Sequence, residues 1–194
     1  MHNARGILFC LLLFNLASCK NSSKQAETYF DSLIVAQVKY LSSTNPSLTK
    51  TAKMNGEEDN STSHPDSTIW KSELDIFRQL ALFERASYRH IYQLEDGLND
   101  QKSNLLIKKY STKELVPIPE LKFYYYKELK NLKRIEAIYQ QHNALYTTTR
   151  QLVMEFDEVK GKSVLSAYAM DGSEKMILSD SVKFSVHSKI NYPF

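Results

Sequence analysis

Everything after Ala86 alternates between apolar and polar residues with a period of two, and that alternation restricts this part of the chain to antiparallel sheet. Tyr88 to Leu94, Asn104 to Tyr110, Leu121 to Lys127, Leu132 to Gln140, Leu145 to Asp157, Ser163 to Met170, Lys175 to Ser179 and Val182 to Ile190 read as strands. Asp96-Gly97, Pro117-Ile118-Pro119, Lys160-Gly161 and Asp171-Gly172 read as the turns between them. Along these strands Leu121, Phe123 and Tyr125 share one face, as do Leu152, Met154 and Phe156, and Val182, Phe184 and Val186. Twelve Tyr and nine Phe against five Gly fit a sheet that keeps one edge of many rings wet.

Before Ala86 the period is that of helices. Tyr29, Phe30, Leu33, Ile34, Val38 and Leu41 recur at spacings of three and four and predict an amphipathic helix over Glu27 to Leu41, stopped by Asn45-Pro46. Leu48 to Met54 reads as a short strand ending at the turn pair Asn55-Gly56. The acidic, Ser/Thr-rich residues 57–67 read as a mobile loop. A second helix starts at Asp66 or Ser67, either of which can cap its free amides. Its stripe of Trp70, Leu74, Phe77 and Ala81, widened by Ile69, Ile76, Leu80 and Phe83, is broad enough to pack on a sheet. The fold expected is α+β: two N-terminal helices on a curled antiparallel meander of about six to eight strands, forming one domain over residues 26–194.

Several short stretches carry a resemblance: Asn45-Pro46, Asn55-Gly56, Trp70 to Phe77, Tyr110 to Lys113, Asn143 to Thr148 and Asp171 to Leu178. Together they resemble a set of small lipoproteins of Bacteroidota to which no activity is assigned. The chain departs from that pattern at Phe83-Glu84-Arg85-Ala86, where such proteins often carry an Asn-Lys-Pro-like break after the Trp helix. The resemblance implies a membrane anchor and this fold, and it names no chemistry.

The first residues agree with such an anchor. Met1 to Arg5 carries one positive charge, and Gly6 to Leu16 is an apolar run interrupted only at Asn15. A helix needs roughly 20 apolar residues to cross a hydrocarbon core about 30 Å thick, so a run this short reads as a signal peptide, residues 1–18, that is cleaved. Leu16-Ala17-Ser18-Cys19 resembles a lipobox, which makes Cys19 the acylated first residue of the mature chain, and residues 19–25 a polar tether. Two or three acyl chains, at about 0.8 kcal/mol per buried methylene, hold a protein where one chain does so only marginally. In such lipoproteins surface display goes with acidic residues after the cysteine. Here Lys20-Asn21-Ser22-Ser23-Lys24 is basic and neutral, which implies the periplasmic face of the outer membrane.

Charge and cysteine content narrow the chemistry. Loss of Arg5 lowers the formal net charge of +3 by one, and no polyanion partner is expected. Of the two cysteines, Cys10 lies in the signal peptide and Cys19 is the anchor, which leaves no disulfide, thiolate nucleophile or thiolate metal site in the domain. His64, His90, His142 and His187 lack metal-ligand spacing, and there is no Gly-x-Ser-x-Gly and no glycine-rich phosphate cradle. No enzyme activity, metal or cofactor is expected. Leu121 to Ile135 interleaves aromatics with lysines as a nucleic-acid platform does, but an envelope location and a near-neutral domain argue against that partner.

Two functions stay open. The favoured one is an interaction or assembly module that meets another envelope protein through an exposed Tyr-rich face, with Trp70, Tyr124 and Tyr126 as contact residues, or through the mobile loop near Glu57 to His64. The other is a carrier of lipid or another apolar ligand in a pocket between sheet and helices.

Overall fold

The computed structural model describes residues 28–159 and 161–193; the expected signal peptide (residues 1–18), Cys19 and the expected tether (residues 19–25) lie outside them. Helix α1 (Tyr29–Thr44) is followed by strands β1 (Ser47–Met54) and β2 (Glu57–Ser63), then by helix α2 (Ser67–Leu74), which continues as a 3-10 segment, Asp75–Glu84. A short 3-10 turn, Arg89–Ile91, leads to β3 (Gln93–Asn99), β4 (Leu106–Ser111), β5 (Glu120–Tyr125), β6 (Leu132–His142), β7 (Tyr146–Val159), β8 (Lys162–Met176) and β9 (Val182–Asn191). The nine strands form one antiparallel sheet in the order β2-β1-β9-β8-β7-β6-β5-β4-β3.

The α+β architecture agrees with the alternation of the sequence, with three corrections. There are nine strands among the described residues rather than six to eight. The first hairpin separates the two helices, so they do not precede the sheet together. Residues 57–63 are not a loop. They form β2, which pairs with β1 from Leu48↔Ser63 to Met54↔Glu57 around the Asn55-Gly56 turn, both of whose residues have positive φ.

Two further turn signals fall inside strands. Asp96-Gly97 sits at a bulge in β3, and Asp171-Gly172 lies within β8, which runs unbroken where two strands were expected. Tyr88 to Ile91 enters a 3-10 turn instead of a strand.

The helices cover one face of the sheet. α1 begins at Thr28, whose hydroxyl accepts from the Asp31 amide, and ends at Asn45 in the left-handed conformation, φ 45°. Phe30, Ile34 and Leu41 of α1 are buried against the sheet. Asp66 caps α2 by accepting from the Thr68 and Ile69 amides, and α2 with its 3-10 extension sinks Trp70, Leu74, Phe77 and Leu80 into the same core. Facing them are Leu121, Ile135, Ala137, Leu152, Met154, Phe156 and Tyr168, the inward positions of β5 to β8. Burying each large side chain is worth about 1.5–3 kcal/mol.

Two polar ties lock the layers. The Glu73 carboxylate of α2 pairs with Lys50 of β1 and accepts from the Tyr168 hydroxyl of β8 at 2.6 Å. Gln37 of α1 accepts from the Leu165 amide at 2.8 Å and donates to the Ser163 carbonyl at 3.4 Å, beside the bulge at which β8 shifts register against β7.

Candidate functional site

Where α1 leaves the sheet near β4 and β5, the core opens into a cleft of about 550 Å³. Its walls follow from the topology. α1 contributes Tyr29, Phe30, Leu33 and Gln37 from one face, as their spacing requires. The end of the 3-10 segment contributes Phe83 and Glu84, and the sheet contributes Lys108, Tyr110, Phe123, Leu132, Phe156 and Ser163. The β5–β6 turn closes one side with Leu129 and Lys130.

The lining is mainly aromatic. Phe30 stacks on Phe123 with centroids 6.1 Å apart and planes at 28°. Tyr29 meets Phe30 edge-on at 5.4 Å, Tyr110 meets Phe123 at 6.3 Å, and Phe83 bridges Tyr110 at 4.9 Å and Tyr92 at 4.8 Å. Tyr29, 50% exposed, and Leu129, 45% exposed, mark the mouth, so large apolar groups stand in contact with solvent there.

A few polar groups are held in fixed places around this apolar surface. Both Glu84 oxygens accept from the first amides of α1, Tyr29 at 2.9 Å and Phe30 at 3.1 Å, so a carboxylate at the cleft wall neutralises the positive end of the helix. Burial, and then the Glu84 charge, push the Tyr29 phenol up, keeping it neutral. Lys108 pairs with Asp96 at 3.1 Å, and that bond holds its ammonium above the usual lysine range. Burial, then the neighbouring Tyr88, push Tyr92 up to about 12, and its hydroxyl donates to the Ile118 carbonyl at 2.6 Å.

The three aromatic contact residues expected from the sequence do not form one surface. Trp70 is fully buried on the helix side, which corrects its reading as a contact residue. Tyr124 points to the other face of the sheet and is only 7% exposed, because its hydroxyl donates to Glu136 at 2.7 Å and the Arg134 guanidinium lies 5.4 Å over its ring. Tyr126 alone is open, in the β5–β6 turn with Lys127 above its ring.

The lysines of that outer face are tied to acids. Lys122 meets Glu120 at 2.8 Å, Lys109 meets Glu120 at 3.5 Å, and Arg134 bridges Glu136 and Glu155, each at 3.1 Å. No group of three or more His, Cys, Asp and Glu residues able to hold a metal ion occurs among the described residues. Cys19 lies outside those residues.

Tyr29, Phe30 and Leu33 were visible in the sequence as a helical stripe. Phe83 was visible in the stripe of the second helix; Lys108 and Leu129 were not, because no local motif marks residues that meet only through the curl of the sheet. No family model matches the chain, and no curated protein or solved structure matches it.

Proposed function

We propose that this chain is a lipid-anchored cell-envelope protein whose domain takes up an apolar molecule of acyl-chain type in the cleft between α1 and the sheet. The observation that carries the reading is the cleft itself. Small-molecule sites are concave, mostly apolar, about 300–1,000 Å³ in volume, and carry few but fixed polar groups. A volume of about 550 Å³, ringed by Phe30, Phe83, Tyr110, Phe123 and Phe156, with Glu84 and Lys108 held at its wall, fits that description. The alternative, an assembly module working through a flat Tyr-rich patch, is less favoured, since Trp70 and Tyr124 are turned inward or packed.

Anchoring through Cys19, and placement on the periplasmic face of the outer membrane, rest on the leader and on the resemblance to lipoproteins. Native mass spectrometry of the purified protein tests the ligand. A reproducible added mass of lipid size, lost on organic extraction, supports the reading. A clean apo mass after incubation with fatty acid and phospholipid overturns it.

A further inference from the structure

The cleft runs across the sheet beneath α1, from the start of β8 to β4, and its polar groups are used differently at the two ends. At the β8 end the polar side chains are engaged within the chain. Gln37 accepts from the Leu165 amide and donates to the Ser163 carbonyl, and the Ser163 hydroxyl donates to the Leu132 carbonyl at 3.4 Å. With those groups satisfied, Phe156 and Leu132 present a ligand with an apolar surface.

The β4 end keeps a cation in reserve. Lys108 pairs across β4 and β5 with Phe123, and its partly buried ammonium lies 6.0 Å from the centroid of the Tyr110 ring. An ammonium carries three donors. Asp96, at the bulge of β3 and outside the cleft lining, takes one of them at 3.1 Å, while the Tyr125 hydroxyl donates to its other oxygen at 2.8 Å. The ion pair therefore holds the ammonium in place and leaves donors free for the cleft. Lys130 brings a second ammonium to the lining, and its partner Glu128 again lies outside that lining.

Among the described residues that line the cleft, Glu84 is the only acid. Both of its oxygens accept from the first amides of α1, whose partial positive charge offsets the carboxylate. The charge left for a ligand to meet is positive. Phosphate recognition draws on arginine forks or on free amides at a helix start. Here the α1 amides are taken by Glu84, and no arginine lines the cleft among the described residues.

Resting on the apolar-ligand reading above, we propose that the cleft selects a long-chain carboxylate, with its head group on Lys108 and its chain running beneath α1 toward Leu132 and Phe156. Lys130 closes over the head group from the β5–β6 turn.

Isothermal titration calorimetry of the full chain, freed of bound lipid on a hydrophobic resin, tests this with decanoate, decanol and decylamine, which share one chain and differ in head group. At about pH 8 the carboxylate and both amines are charged. Decanoate is expected to bind about tenfold or more tightly than decanol, the gain of one hydrogen bond to a charged group, and decylamine no more tightly than decanol. Lys108→Met keeps the stem and removes the charge, so it brings decanoate to the level of decanol and leaves decanol where it was. Lys108→Arg retains most of the preference. Equal binding of the three by the parent protein, tightest binding of decylamine, or a Lys108→Met loss that falls equally on decanoate and decanol overturns the head-group assignment while leaving the cleft a ligand site. Binding of none of the three overturns the cleft reading itself. The comparison of head groups on the parent protein decides the assignment even where Lys108→Met fails to fold.

Discussion

The ring of Phe184 occupies the space that a side chain at Gly172 would need. The two residues pair across β8 and β9, and a Cβ at position 172 would stand 2.7 Å from Phe184 Cζ and 2.6 Å from the Thr149 carbonyl oxygen. Glycine here serves close approach in mid-strand and not a turn. Gly172→Ala is expected to destabilise the fold by about 1–3 kcal/mol, the usual cost of overpacking. Adding Phe184→Ala recovers part of that loss and not all of it, since the Thr149 backbone cannot be trimmed away. Urea denaturation of the two variants and the double variant checks both statements.

Gln37 is the buried polar residue by which α1 reads the backbone of β8. Replacing it with Leu keeps the volume but strands the Leu165 amide and the Ser163 carbonyl, at a cost of about 1–3 kcal/mol for polar groups left unpaired. Hydrogen exchange at Leu165 is the sharper readout, because protection there falls more than in β6 if the contact acts locally.

The tyrosines set the alkaline limit. A tyrosine in the unfolded chain titrates near about 10, whereas burial, with Tyr88 adding to it, holds Tyr92 up to about 12. Between those values the unfolded chain releases a proton that the folded chain retains, so this contribution is complete below the lower pH and is lost as pH rises through the window. Burial shifts Tyr124, Tyr168 and Tyr192 in the same direction. Melting temperature is therefore expected to fall steeply above about pH 10, and Tyr92→Phe to flatten part of that slope.

Filling the cleft tests its use. Leu33 lines it without lying in the fully buried set, so Leu33→Trp adds an indole into existing space. Uptake of a fluorescent fatty acid is expected to weaken by tenfold or more, or about 1.4 kcal/mol, while the melting temperature stays near that of the parent. Equal uptake by both proteins would place the ligand elsewhere.

Cys19→Ala is expected to move the protein from the membrane fraction to the soluble fraction of exporting cells. Retention in the membrane fraction, read by immunoblot after carbonate washing, would remove the acyl anchor from the argument.

How much of this was legible in the sequence depends on whether a residue's role is local. β6, β7 and β9 alternate cleanly because one face of each is buried, and their limits fell within about two residues of those expected. β2 was invisible for the opposite reason: all of its residues are exposed, so an edge strand of Glu, Asp, Asn, Ser and Thr carries no alternation and resembles a loop. Gly172 was misread because a glycine's sequence context does not separate a turn from a close ring contact. Gln37 was passed over because periodicity arguments count apolar residues, and its partner is a backbone amide far away in the sequence. The cleft was legible as separate apolar faces, those of α1, of Phe83 and of Phe123 and Phe156, and not as their meeting.

β1 and β9 lie side by side, and among the described residues β9 is the only strand that joins the first hairpin to the rest of the sheet. The order of synthesis therefore cannot be the order of assembly. The β1–β2 hairpin emerges early but finds its neighbour only when the last strand has been made, so the sheet closes late and all at once, by a pairing of high sequence separation. Loss of β9 by premature termination would therefore unseat the first hairpin as surely as it removes the last strand.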